Sequence, residues 1–334
     1  MKDTSILIPT YKRPHLLLAA LESVARQTAV DRIGEIVVIE NGSDRRSEKV
    51  CQKFPGLPIK YIFRNPTVPV SKLTVVTLSE TSLPNVALLH DDDWWLDFHL
   101  ERSLEKLDTM PELSAVYASY FVTESENSWF QEINGNFTAW FGNDQHAAGD
   151  TRILDFKQVL ITSILQAGFH MSSLVYRGSV IGACFEAFSD GNEYDNDRTL
   201  AVELSRQGNI LFHDTPSIVV RNHPGQDNRQ TKRAGKASYW FNRNTRRMIQ
   251  QAIDASIDIR SELDARVSRP GFSADMALRC IRAEDYDPLV EASLLSPSLL
   301  KTYRCAKWRN GILRTIFSTG RLLGGLLSRG KSNI

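Results

Sequence analysis

From Ser5 to Asp93 the chain alternates short, continuously apolar runs with segments of helical period, and that alternation limits the folds open to it. "SILIPT" reads as a buried strand. "PHLLLAALESVARQT" follows, with Leu17, Ala20, Leu21 and Val24 at helical spacing and Pro14 suited to a first turn. "EIVVIENGSD" is a second strand closing on a turn-forming Asn-Gly, and "SEKVCQKF" is a short helix. "IKYIFRN" is a third strand, "VSKLTVVTLSET" a helix despite its β-branched residues, and "NVALLHDDD" a fourth strand. Strands that are apolar throughout need helices on both faces, so the pattern predicts an α/β protein with a mostly parallel sheet. Such sheets bind ligands beyond the carboxyl ends of their strands. Three of those ends carry polar clusters: Pro9-Thr10-Tyr11, Glu40-Asn41-Gly42 and Asp91-Asp92-Asp93. They are expected to lie side by side.

The remainder is less regular. Residues 120–160 are richer in Trp, Phe, Asn and Gly and read as a loop-rich insertion or a strand pair. "LQAGFHMSSLVYRGSVI" returns to strand character, "NEYDNDRTLAVELSRQGN" contains a helix starting near Asn196 and stopped by Gly208, and "ILFHDTPSIVVRNHPGQ" supplies further strands. After Gln226 the pattern turns to Arg- and Gln-rich helices broken at "SRPGFS". We therefore divide the chain into residues 1–226, carrying the sheet, and a helical extension, 227–334. The 334 residues, 42% hydrophobic and 24% charged, are enough for one large domain with an appendage or for two domains. Four scattered cysteines without a CxxC pair indicate reduced thiols in a cytoplasmic protein and argue against a cysteine zinc site. The apolar run in "MKDTSILIPT" is too short for a signal peptide or a membrane span, and no run of about 18 apolar residues occurs.

Three adjacent aspartates against a buried strand repel one another. Turn chemistry and helix capping by Asp93 account for one of them; three ionise together cheaply only beside a cation. Oxygen ligands of this kind suit Mg²⁺ or Mn²⁺, which bind through one or two carboxylates and substrate phosphates. Such an ion neutralises a diphosphate leaving group.

"SILIPTYKRPHLLLAALESVARQT", "EIVVIENGSD", "LLHDDDWW", "DNDRTLAVELSRQG" and "VVRNHPGQ", in that order over residues 4–226, resemble the family-2 glycosyltransferases with the GT-A fold. That fold is a Rossmann-like, mostly parallel sheet flanked by helices. The resemblance implies an inverting, metal-dependent transfer of sugar from a nucleotide-diphosphate donor, most often UDP with GDP and dTDP open, to a glycan or lipid-linked glycan in bacterial-type surface polysaccharide synthesis. It assigns Pro9, Thr10 and Tyr11 to the base pocket with Arg13 nearby, and Glu40 to a position where the family usually has Asp. In the form Asp-x-Asp-Asp, His90 stands at the first acidic position and Asp91 and Asp92 serve ribose and metal; a simpler register uses Asp91 and Asp93. Asp92 is the foremost metal ligand, with Asp93 and His223 as further candidates. "NPTVPVSKLTVV" lacks the family's Gly and Arg-Asn pair, and Lys72 stands in as the cation for the diphosphate.

An inverting transfer needs a general base on the acceptor side. "DGNEYDNDRTL" offers Asp190, Glu193, Asp195 and Asp197, several of which are ordinary solvated loop acids. The family sets an acidic pair about eleven residues before a helix-ending Gly, and counting back from Gly208 selects Asp197, with Asp195 second and Glu193 third. Arg221, Trp94 and Trp95 are readable as packing groups, and the aromatics from Trp129 to Phe141 as an acceptor wall.

The tail differs in charge from the body. Residues 301–334 hold eight basic and no acidic residues, whereas residues 1–300 hold 32 basic and 39 acidic ones, a net −7. Tyr303, Trp308, Ile312 and Ile316 fall along one side of a helix there. It is either a docked C-terminal helix or an interfacial one held on anionic lipid. The second option gives a peripheral protein on the cytoplasmic face of the inner membrane. No feature calls for nucleic acid. Two competing functions remain: a sugar nucleotidyltransferase, disfavoured because "PTYKRPH" has no glycine to wrap a triphosphate, and an inactive glycan-binding protein of the same fold.

Overall fold

Every strand anticipated between Ser5 and Asp93 forms. The computed structural model describes residues 2–42, 44–68, 73, 78–123, 151–165, 169–182, 185, 196–223, 236–267, 287–297, 300–301, 303–305 and 308. β1 (Thr4–Thr10), β2 (Ile33–Asn41), β3 (Ile59–Arg64) and β4 (Asn85–Leu88) run parallel, with β1 between β2 and β4. Thr10 pairs with Glu40, and Leu7 with Leu88, so three polar strand ends share one edge. α1 (Pro14–Ala25) takes Pro at its first turn and buries Leu17, Ala20, Leu21 and Val24. These side chains join Ile6, Ile8, Ile36 and Val38 in one cluster. α2 (Arg46–Cys51) crosses from β2 to β3.

Beyond the aspartates the chain re-enters the sheet at its far edge as β5 (Trp94–Trp95), forms α3 (His99–Thr109) and returns as β6 (Leu113–Thr123). β7 (Thr151–Leu154), α4 (Phe156–Leu165), β8 (Val175–Arg177), α5 (Asn196–Ser205), β9 (Asn209–Arg221) and α6 (Lys236–Asp254) follow. The nine-stranded sheet runs β3-β2-β1-β4-β8-β6-β9-β5, with β7 also on β9. Six strands share one direction, and β5, β7 and β8 oppose it. The stretch read as several strands, "ILFHDTPSIVV", lies within one continuous strand, β9, both ends of which, Asn209–His213 and Ile218–Arg221, pair with β6. The helix read across "VSKLTVVTLSET" is described only at Leu73 and from Leu78 to Thr81, of which Leu73, Leu78 and Ser79 are helical.

Contacts group Met1–Ile257 as one compact unit and Asp258–Ile334 as a second. The first extends beyond Gln226 because α6 packs on α4. Arg198 of α5 is fully buried there. Its guanidinium donates to the carbonyls of Ser163 (2.6 Å) and Phe241 (3.1 Å) and to the Thr245 hydroxyl (3.2 Å), and it lies 3.5 Å above the Phe241 ring. The second unit holds α7 (Ile259–Val267) and α8 (Asp287–Glu291), with Leu263, Leu289, Leu295 and Tyr303 buried and Trp308 exposed. The Tyr303 hydroxyl donates to Asp287. Residues 309–334, with Ile312 and Ile316, lie outside the described residues, as do "SRPGFS" and 124–150. No helix among the described residues is long and apolar enough to cross a membrane.

Two stability predictions follow from the packing. A Cβ on Gly178 would sit 2.4 Å from the Leu83 carbonyl oxygen, at the junction of β4 and β8, whereas one on Gly56 would meet nothing within 4 Å. Gly178→Ala is expected to cost about 1–3 kcal/mol in urea unfolding, and Gly56→Ala far less. His99 and His213 are buried, and burial, with the Arg102 charge nearby, pushes both down to about 3. They stay neutral in the fold but take up protons in the unfolded chain below about pH 6.5, so stability falls from pH 6.5 toward 3. His213→Phe should flatten the decline of melting temperature across that window.

Candidate active site

The site lies at the edge where β1, β2, β4, β6 and β9 end and β8 begins. Because β8 opposes its neighbours, the segment leading into it, His170 to Ser173, arrives at the same edge as the aspartates. The run Asp91-Asp92-Asp93 is buried, at 4%, 8% and 2% exposure. Each carboxylate is engaged by a different part of the fold.

Asp91 turns toward the end of β1. Its Oδ2 accepts from the Thr10 hydroxyl at 2.7 Å and the Tyr11 backbone N–H at 3.4 Å, and Arg13 reaches its Oδ1 at 3.4 Å. Asp92 Oδ2 accepts from Arg13 at 2.8 Å and faces His223 Nε2 at 3.1 Å. Asp93 accepts the Arg221 backbone N–H at 3.0 Å and the Ser172 hydroxyl at 2.5 Å. Burial, reinforced by the Asp92 charge, raises Asp91 and Asp93 to about 7. For Asp92 burial acts upward too, but His90, Arg13 and the His223 hydrogen bond outweigh it and hold the carboxyl below its ordinary value. Asp92 is thus the member of the trio best kept as an anion.

Other anticipated residues take distinct places. Glu40 is fully buried, and its carboxylate accepts from the Ser47 backbone N–H (3.2 Å) and hydroxyl (2.9 Å) at the start of α2 and from the Tyr61 hydroxyl (2.5 Å). Its oxygens thereby fix the β2–α2 turn. Pro9 pairs with Ile39, one position before the end of the β1–β2 register. Trp95 is core, its indole N–H donating to the Ser172 carbonyl at 2.6 Å, while Trp94 carries the Arg221 guanidinium 4.9 Å from its ring centre. The Arg221 Nε–H donates to the Asp92 backbone carbonyl at 3.1 Å. Asp197 stands in the first turn of α5, half-buried. Its charge helps desolvation raise the half-buried Tyr120 phenol above its ordinary range, together with that of Asp93. Lys72, Asp190, Glu193, Asp195 and Trp129 to Phe141 lie outside the described residues.

His170 and Ser172 escaped the sequence reading. They lie in "FHMSS" with no period or spacing to mark them; only the antiparallel placement of β8 brings them to Asp93. Two ligand sets for a cation follow from this geometry: Asp92 with His223, and His90, Asp93 and His170, whose ligand atoms all lie within 4.8 Å of one another.

Arg13 is the arginine that spans Asp91 and Asp92, with side-chain exposures of 17% for the cation and 6% and 11% for the acids. Removing one partner of a buried pair leaves uncompensated charge. Arg13→Met is expected to cost about 3 kcal/mol in chemical denaturation, and Asp91→Asn in that background should recover part of the loss.

Comparison with known proteins agrees with this architecture. Residues 5–170 match the model described as Glycosyl transferase family 2. No curated protein sequence matches the chain. Among solved structures, S. aureus TarS 1-349 superposes with a TM-score of 0.59 at 16% identity, covering 91% of this chain and 87% of that one. TarS 1-349 in complex with UDP-GlcNAc gives 0.57 at 15% identity, covering 86% and 80%. Against the longer TarS structure the TM-score is 0.55 at 14% identity over 89% of this chain, which spans only 50% of that chain's length. Through residues 5–170 the chain belongs to glycosyl transferase family 2, a transferase domain on the GT-A fold.

Proposed function

We propose that the chain is an inverting glycosyltransferase. It moves a sugar from a nucleotide-diphosphate donor, a UDP-sugar first of all, to a hydroxyl of a glycan or lipid-linked glycan in bacterial-type surface polysaccharide synthesis. The observation that carries this reading is the convergence, on the buried Asp91–Asp92 pair, of Thr10, Tyr11 and Arg13 from the end of β1 and His223 from beyond β9. That edge is where an α/β sheet receives a nucleotide. TarS solved with UDP and with UDP-GlcNAc supports the choice of donor.

In this reading Pro9, Thr10, Tyr11 and Arg13 hold the base and ribose, Glu40 sets the pocket wall from β2, and Asp91 and Lys72 face ribose and diphosphate. Asp92 and His223 fit a divalent cation, since a carboxylate and an imidazole already face each other at 3.1 Å, with Asp93 adjoining. Mg²⁺ or Mn²⁺ bound there supplies charge neutralisation of the departing diphosphate. Asp197 acts on the opposite side: it takes the proton of the acceptor hydroxyl while that oxygen bonds to the anomeric carbon and the carbon–phosphate oxygen bond breaks. Configuration inverts. Asp195 and Glu193 are the alternative bases. The domain of residues 1–226 does this chemistry, and the extension 227–334, through its basic tail, holds the enzyme at the cytoplasmic face of the membrane beside its acceptor.

Asp197→Asn should reduce transfer by about 10²–10⁴-fold while leaving the UDP-induced thermal shift with Mn²⁺ intact. Asp92→Asn should remove that shift. Wild type that binds no nucleotide under either metal would instead support a glycan-binding protein without activity.

A further inference from the structure

Asp93 is held by the Arg221 backbone N–H and the Ser172 hydroxyl. Its Oδ2 lies 3.7 Å from His90 Nδ1 and 3.9 Å from His170 Nδ1. Both separations exceed hydrogen-bond reach, yet both rings present the same nitrogen toward one buried carboxylate oxygen. An ion with bonds of about 2.0–2.2 Å needs ligand atoms only slightly closer than this. Metal binding uses the lone pair of a neutral imidazole, and each Nδ1 already faces the Asp93 carboxylate across that gap.

We infer that His90, Asp93 and His170 form a binding site for a first-row transition-metal dication (Zn²⁺, Fe²⁺, Co²⁺ or Mn²⁺), separate from the Asp92–His223 position. Two imidazoles and one carboxylate with further positions open suit those ions, whereas Mg²⁺ prefers oxygen and water. The surroundings already orient the ligands. Ser172 Oγ holds Asp93 at 2.5 Å and accepts the His90 backbone N–H at 3.1 Å, while the Arg221 N–H fixes the other Asp93 oxygen at 3.0 Å. The two rings meet edge to face at 5.6 Å, and Tyr120 packs 5.3 Å from His170. On binding, His170 Nδ1 exchanges a long 3.3 Å contact from the Ser172 backbone N–H for the ion. The ion ties the turn after β4 to the segment before β8, with no need of a nucleotide.

The test uses untagged, chelator-stripped full-length protein without nucleotide. Zn²⁺ calorimetry should show one tight site that excess Mg²⁺ does not empty, and X-ray absorption of the zinc-loaded wild type should show scattering from two imidazoles. His90→Gln and His170→Gln should lose that binding while keeping the melting temperature of the metal-free protein; His223→Gln and Asp92→Asn should retain it. Zinc scattering from one imidazole or none in the wild type, no tight Zn²⁺ binding, or binding abolished by Asp92→Asn and untouched by His170→Gln would overturn the inference. Loss of nucleotide binding in Asp92→Asn bears on the transferase reading alone, so the two proposals fail separately.

Discussion

Burying three consecutive carboxylates at the end of one strand governs the rest of this structure. Like charges that close, removed from water, need separate partners, and a single neighbouring strand cannot supply them. The fold divides the burden. The β1 end takes Asp91 through Thr10 and Tyr11, Arg13 bridges Asp91 and Asp92, His223 meets Asp92 from beyond β9, and Ser172 with the Arg221 backbone takes Asp93. Satisfying the aspartates therefore draws the loops of four strands to one point. The site follows from electrostatic necessity as much as from any demand of a ligand.

The part of this arrangement legible in the sequence is the part carried by local period. The runs "SILIPT", "EIVVIE" and "NVALL" could only be covered strands, and Leu17, Ala20, Leu21 and Val24 could only be one face of a helix. Parallel strands lying side by side place their polar ends together, so the ends carrying Thr10, Glu40 and Asp91 were expected to share one edge and do. Direction of a side chain at a strand end has no such signature. Glu40 sits where the pattern put it, yet its oxygens turn to Ser47 and Tyr61. β5 and β8, with two and three residues, are too short to show an alternation. Their antiparallel pairing depends on contacts distant in sequence, and with it goes the position of His170. The matched family model also ends at residue 170, at the threshold of that segment.

Aromatic and cationic residues around the site serve packing and electrostatics together. Trp95 fills the core and holds the Ser172 carbonyl, so the residue that binds Asp93 through its hydroxyl is fixed from behind through its backbone. Arg221 spreads its guanidinium over Trp94 while its own Nε–H and backbone N–H reach the aspartate segment. Such doubling makes the loop after β4 stiff, which suits a site whose charges must not rearrange when a substrate arrives.

Arg198 follows Asp197 directly in the chain. Its head is clamped among Ser163, Phe241 and Thr245, so the first turn of α5 is riveted to two other helices by one planar group. A rotation of α6 about its own axis would carry Phe241 and Thr245 with it and drag the neighbouring carboxylate off its line. Surface events on that helix thus have a mechanical lever on Asp197, the acid we propose as the base.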